Sequence, residues 1–79
     1  VSVQPVEIET RVGMDGAVTP LRILWQGRWV QIGQISRTWS DDDGDHWLVM
    51  ITPPQKVLDI IHTPQGEWRV YDPSSRFVA

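Results

Sequence analysis

Six Gly and six Pro are spread through 79 residues so evenly that no window long enough for an amphipathic helix survives between them. The pattern that remains is alternation at period two. The chain therefore reads as all-β: a small antiparallel barrel or strongly bent sheet of five or six strands, of the SH3-like kind. Val6, Ile8, Thr10 and Val12 alternate against Glu7, Glu9 and Arg11, as in a strand with one wet face. Asp15-Gly16 marks a tight turn, and the chain returns through Thr19 to Gln26 with Pro20 at the strand's start or on an edge. Leu21, Ile23 and Trp25 then share the core face.

After a reversal at Gly27, Arg28 to Ser40 is long enough for two strand halves joined by a bend. Val30 and Ile32 sit on even numbers before Gly33, whereas Ile35 and Trp39 sit on odd numbers after it. A parity switch of this kind needs an inserted residue, so a β-bulge or sharp coil is expected at Gly33, letting one strand serve two sheets. His46 to Thr52 and Lys56 to His62 are apolar on both faces and are expected to be the central strands, joined around Pro53-Pro54-Gln55. Thr63-Pro64-Gln65-Gly66 has the residue order of a type I turn and leads into Glu67 to Asp72, with Pro73-Ser74-Ser75 closing the domain.

The length allows one domain, residues 1–79, and a chain starting at Val1 leaves open its excision from a longer one. No apolar run approaches the roughly 20 residues that span a bilayer, and no signal peptide is visible. The absence of Cys removes disulfides, thiolate metal sites and cysteine nucleophiles, and makes a cytoplasmic protein the expectation. A net charge of −3 argues against bulk attraction to nucleic acid or anionic membrane. That total hides an asymmetry, because Arg22, Arg28 and Arg37 lie in a stretch, 17–40, that contains no Asp or Glu.

Five Trp is a heavy load for so short a chain. By parity Trp25 and Trp68 belong to the core, while Trp29 points outward beside Arg28. Arg22, Arg28, Trp29, Arg37 and Trp39 are therefore the candidate binding residues, with guanidinium groups as charge anchors and indoles as contact surface. Asp41-Asp42-Asp43-Gly44-Asp45-His46 resembles a calcium loop at first sight, yet Met50 stands where an EF-hand needs Glu, so it reads as a polar hairpin loop. His46 and His62 are the only imidazoles and would have to meet across the expected hairpin to share a metal ion. Ser36, Ser40, Ser74 and Ser75 lack the setting of an activated nucleophile, and there is no glycine-rich phosphate cradle. The expectation is a non-enzyme without metal or cofactor; a small metal-dependent hydrolase using His46 or His62 is the remote alternative.

Leu24-Trp25-Gln26-Gly27-Arg28-Trp29-Val30-Gln31-Ile32, Trp39, Trp47, Val57-Leu58-Asp59-Ile60-Ile61-His62 and Gly66-Glu67-Trp68-Arg69-Val70-Tyr71-Asp72 carry a resemblance. Together they are similar to a family of small bacterial all-β proteins of uncharacterised function, in which a Trp-x-Gly-Arg-aromatic hairpin and a terminal Gly-x-Trp hairpin recur. Some members are associated with error-prone DNA-repair polymerase components, which implies a DNA-repair accessory. Val30 and Gln31 stand where such members often have Arg. The resemblance implies no site residues, since the family has none established. The function expected is an interaction module that docks a protein partner, with single-stranded nucleic acid as the alternative ligand and pairing of two copies through edge strands as a further option.

Overall fold

The computed structural model describes residues 4–52 and 55–73. Its seven strands are β1 (Gln4–Pro5), β2 (Ile8–Val12), β3 (Val18–Trp25), β4 (Arg28–Asp41), β5 (Gly44–Ile51), β6 (Lys56–His62) and β7 (Trp68–Tyr71). They form one antiparallel sheet in the order β1-β7-β6-β5-β4-β3-β2, curled into a half-barrel. β5 and β6 are central, as their two-sided apolar patterns require. The expected turns at Pro53-Pro54 and Ser74-Ser75 lie outside the described residues. Among the described residues no helix is long and apolar enough to cross a membrane.

The strand count exceeds the expected five or six because the N-terminal segment divides its pairing. β1 pairs with β7, whereas β2 pairs with β3, and the link between them is bonded on both sides. The Val6 N–H donates to the Trp68 carbonyl at 3.1 Å, and the Glu7 carbonyl accepts from the Leu24 N–H at 2.9 Å. One short stretch thus ties together the two ends of the curled sheet. This arrangement hides backbone donors that would otherwise line an exposed edge.

Register shifts decide which side chains face inward. In β4 one residue is inserted between Ile32 and Gln34, where the bulge at Gly33 was expected, and a second between Ile35 and Arg37. Arg22–Trp25 of β3 pair with the first four residues of β4, whose remainder pairs with β5, so the bent strand does serve two parts of the sheet. Because the second insertion reverses the parity again, Trp39 does not share the face of Ile35. It lies opposite His46, on the same outer face as Trp29. A third shift, between Glu9 and Thr10, makes Leu21 the extra residue of β3 and turns Pro20 inward, so Leu21 does not join Ile23 by simple alternation. Pro20 sits where β3 is paired with β2 alone, and no second partner lacks its missing N–H. Val12, read as the inward end of its strand, is 64% exposed.

The core on the concave side consists of Ile23, Val30, Val49, Ile51, Leu58, Ile60 and Val70. Val6, Ile8, Trp25, Ile32, Trp47 and Trp68 pack around it, so three of the five Trp complete a thin core. Fully burying one such aliphatic side chain stabilises by about 1.5–3 kcal/mol.

Candidate interaction face

Outward-facing residues of β3 and the first part of β4 form the first of two clusters. Leu24 lies opposite Trp29 and Arg22 opposite Gln31, while Ile23 and Val30 point into the core. Trp29 is 46% exposed, and the Arg22 guanidinium sits 5.4 Å from the centre of its ring. Glu9, directly across β2, receives the Arg22 Nε–H at 3.1 Å and pairs with Nη2 as well. The hydrogen bond from Arg22 holds the Glu9 carboxyl below the usual range, and Glu9 in turn raises Arg22. Arg22 is therefore a neutralised brace under Trp29. Arg28 is exposed at the β3–β4 turn and has no carboxylate partner among the described residues.

The second cluster lies at the far end of β4, ten residues or about 30 Å along the strand. There the Arg37 guanidinium is 5.0 Å from the Trp39 ring, and the indole stacks on His46 with centroids 4.6 Å apart and planes 12° from parallel. The structure thus groups Arg22 with Trp29 and Arg37 with Trp39, on one face but not in one site.

His46 is a feature that sequence reasoning undervalued. β4 runs to Asp41 and β5 starts at Gly44, so the supposed acidic loop shrinks to Asp42 and Asp43. The Asp43 N–H donates to Asp41 Oδ1 at 2.9 Å, and the Ser40 hydroxyl donates to Asp45 at 2.7 Å, which lets this acidic turn stay inside the ladder. His46, only 5% exposed, sets Nδ1 at 3.0 and 3.1 Å from the Asp59 carboxylate oxygens and Nε2 at 2.9 Å from Asp41 Oδ1. The protonated ring, with two N–H groups, donates to both carboxylates at once. Burial alone would push its pKa down, but the hydrogen bonds and charges of Asp59 and Asp41 outweigh that and raise it. The His46 hydrogen bond holds Asp41 low, whereas burial, helped by the charges of Asp41 and Asp43, holds Asp59 high.

Asp41, Asp43 and His46 bring one polar atom each within 4.8 Å of one another. With the ring protonated, both nitrogens donate to carboxylates and the group acts as a set of ion pairs, with no lone pair left on the imidazole for a metal ion. Nor do the two imidazoles meet. The β5–β6 register sets His46 opposite Ile61 and His62 opposite Asp45, adjacent positions that point to opposite faces. His62 instead stacks on Trp68 at 4.2 Å.

A cleft of about 440 Å³, where none was evident from sequence, opens at the end of the half-barrel between β1, the β3–β4 turn and β7. Pro5, Val6, Leu24 and Trp25 line its apolar part. Among the described residues its one carboxylate, Asp72, is ion-paired with Lys56 at 2.9 Å, and no imidazole lines it. No protein-family model, curated protein or solved structure matches this chain.

Proposed function

We propose that the protein is a non-catalytic interaction module that docks a protein partner through the outer face carried by β4. The observation behind this reading is Trp29: a large aromatic presented at 46% exposure and braced by an arginine whose charge Glu9 has cancelled. Rigid, half-exposed aromatics of this kind are the usual anchors of protein interfaces. A single-strand binding surface needs free indole faces and unpaired cations. Here both outward indoles already carry one of the chain's own guanidinium groups, and Arg22 is neutralised. The resemblance noted above supplies DNA repair as the setting, with the partner a protein of that machinery.

Affinity capture from native extract with the wild-type chain and Trp29→Ala in parallel tests the proposal. A protein partner retained at high salt and lost with Trp29→Ala is the expected result. Saturable NMR shifts at Trp29, Arg28 and Arg37 with a short mixed-sequence single-stranded DNA, weakening as salt rises, would overturn it in favour of strand binding. Light scattering at the capture concentration identifies a second copy of the chain as the partner.

A further inference from the structure

We propose that His46 is a proton-operated latch that fastens the β4–β5 turn to the sheet and sets how Trp39 is presented on the outer face. The latch is a property of the free chain; only its consequence, control of a partner's access to Trp39, rests on the docking reading.

The two ring nitrogens face carboxylates from separate elements, Asp41 at the turn and Asp59 in the middle of β6, and the protonated ring donates an N–H to each. A neutral imidazole has one N–H and one lone pair, so it satisfies only one of them and repels the other. The two are not equivalent. Asp59 is 13% exposed and has little water to turn to, while Asp41 is 44% exposed. Loss of the proton therefore leaves Nδ1–H on Asp59 and releases Asp41. Asp41 also accepts the Asp43 N–H, so the turn loosens with it. Trp39, two residues upstream, loses the positive charge stacked against its ring, and with it the cation–π part of that contact.

The groups around the ring favour the closed state. Asp41 and, over Trp39, Arg37 come from β4, Asp43 from the turn, and Asp59 from β6. Opposite His46 stands the apolar Ile61, and beyond it in β7 Arg69, which is paired with Glu67 at 3.3 Å. Asp45 of the same strand points to the other face. Carboxylates thus dominate near the ring, and release falls on the alkaline side of the ordinary histidine value.

The test is a pH titration of the isolated chain followed by NMR at the His46 ring nitrogens, the Trp39 indole and the Asp43 amide. The three signals should move on one curve, with the neutral ring protonated at Nδ1. In Asp41→Asn the His46 midpoint should fall and the Asp43 amide should cease to follow it. A His46 titration that leaves Trp39 and Asp43 unmoved, a neutral ring protonated at Nε2, or an unchanged midpoint in Asp41→Asn would each overturn the latch. None of these bears on partner capture through Trp29, so the two readings fail separately.

Discussion

Gly44 is the position where the smallest substitution should do the most damage. Its φ is +130°, and a Cβ placed there lies 2.1 Å from the His62 carbonyl oxygen and 2.9 Å from both the His62 carbonyl carbon and the Thr63 Cα. All three obstacles are backbone, so no side chain can swing aside. Gly44→Ala first incurs the cost of a left-handed φ on an L-residue, about 1–2 kcal/mol. It must also part the ends of β5 and β6 by roughly 1 Å, which weakens the bonds around the Asp45–His62 pair at about 0.5–1.5 kcal/mol each. The total is about 2–4 kcal/mol, or a Tm lower by about 10–30 °C for a domain of this size. Gly27→Ala isolates the first contribution, because Gly27 has φ +82° and open space around its missing Cβ. It should lose only about 1 kcal/mol. Thermal unfolding followed by far-UV circular dichroism reads both variants. Equal losses would refute the claim that close backbone packing, and not conformation alone, demands glycine at 44.

Leu58 is fully buried in a core of seven residues among those described, so Leu58→Ala should cost about 2–5 kcal/mol and leave the chain close to unfolding at 37 °C, as urea titration would reveal. Because the folded-state pKa of His46 is raised, its contribution to stability is complete below the unfolded value and is lost as pH rises through the folded one. Urea midpoints measured over that window should fall in the wild type and stay flat in His46→Gln; a parallel fall in both would remove His46 as the cause. Neutralising Glu9 as Glu9→Gln should change stability little, since the pair is solvent-screened, yet it should broaden the Trp29 indole signal by loosening its arginine brace.

Much of the core was legible because period-two alternation reports burial directly. Val30 and Val70 follow from that alternation, whereas Val49, Leu58 and Ile60 lie in strands apolar on both faces, a pattern that marks the strands as central without saying which side chains turn inward. The bulge at Gly33 was legible for the same reason, since two apolar runs of opposite parity cannot share one strand without an insertion. The second insertion, near Ser36, left no such mark. Ser36, Arg37 and Thr38 are polar on either side of it, so alternation carries no phase there, and the shared odd parity of Ile35 and Trp39 does not reveal that they face opposite sides. The Trp39–His46 contact was within reach: once Asp41 and Gly44 close a two-residue turn, Trp39 and His46 must be cross-strand partners. Asp59 was not, because its place beside His46 depends on the β5–β6 register.

Taken alone, the sequence determined the fold class, the central pair of strands, the turns at Asp15-Gly16, Gly27 and Thr63–Gly66, and the inward Trp25 and Trp68. Each is a local matter of propensity, period or turn chemistry. The tertiary structure decided which strands the N-terminal segment joins, which indoles meet which guanidinium groups, and that one histidine lies between carboxylates from two strands. Those outcomes turn on register, and a one-residue slip, nearly invisible in a polar stretch, moves every later side chain to the opposite face.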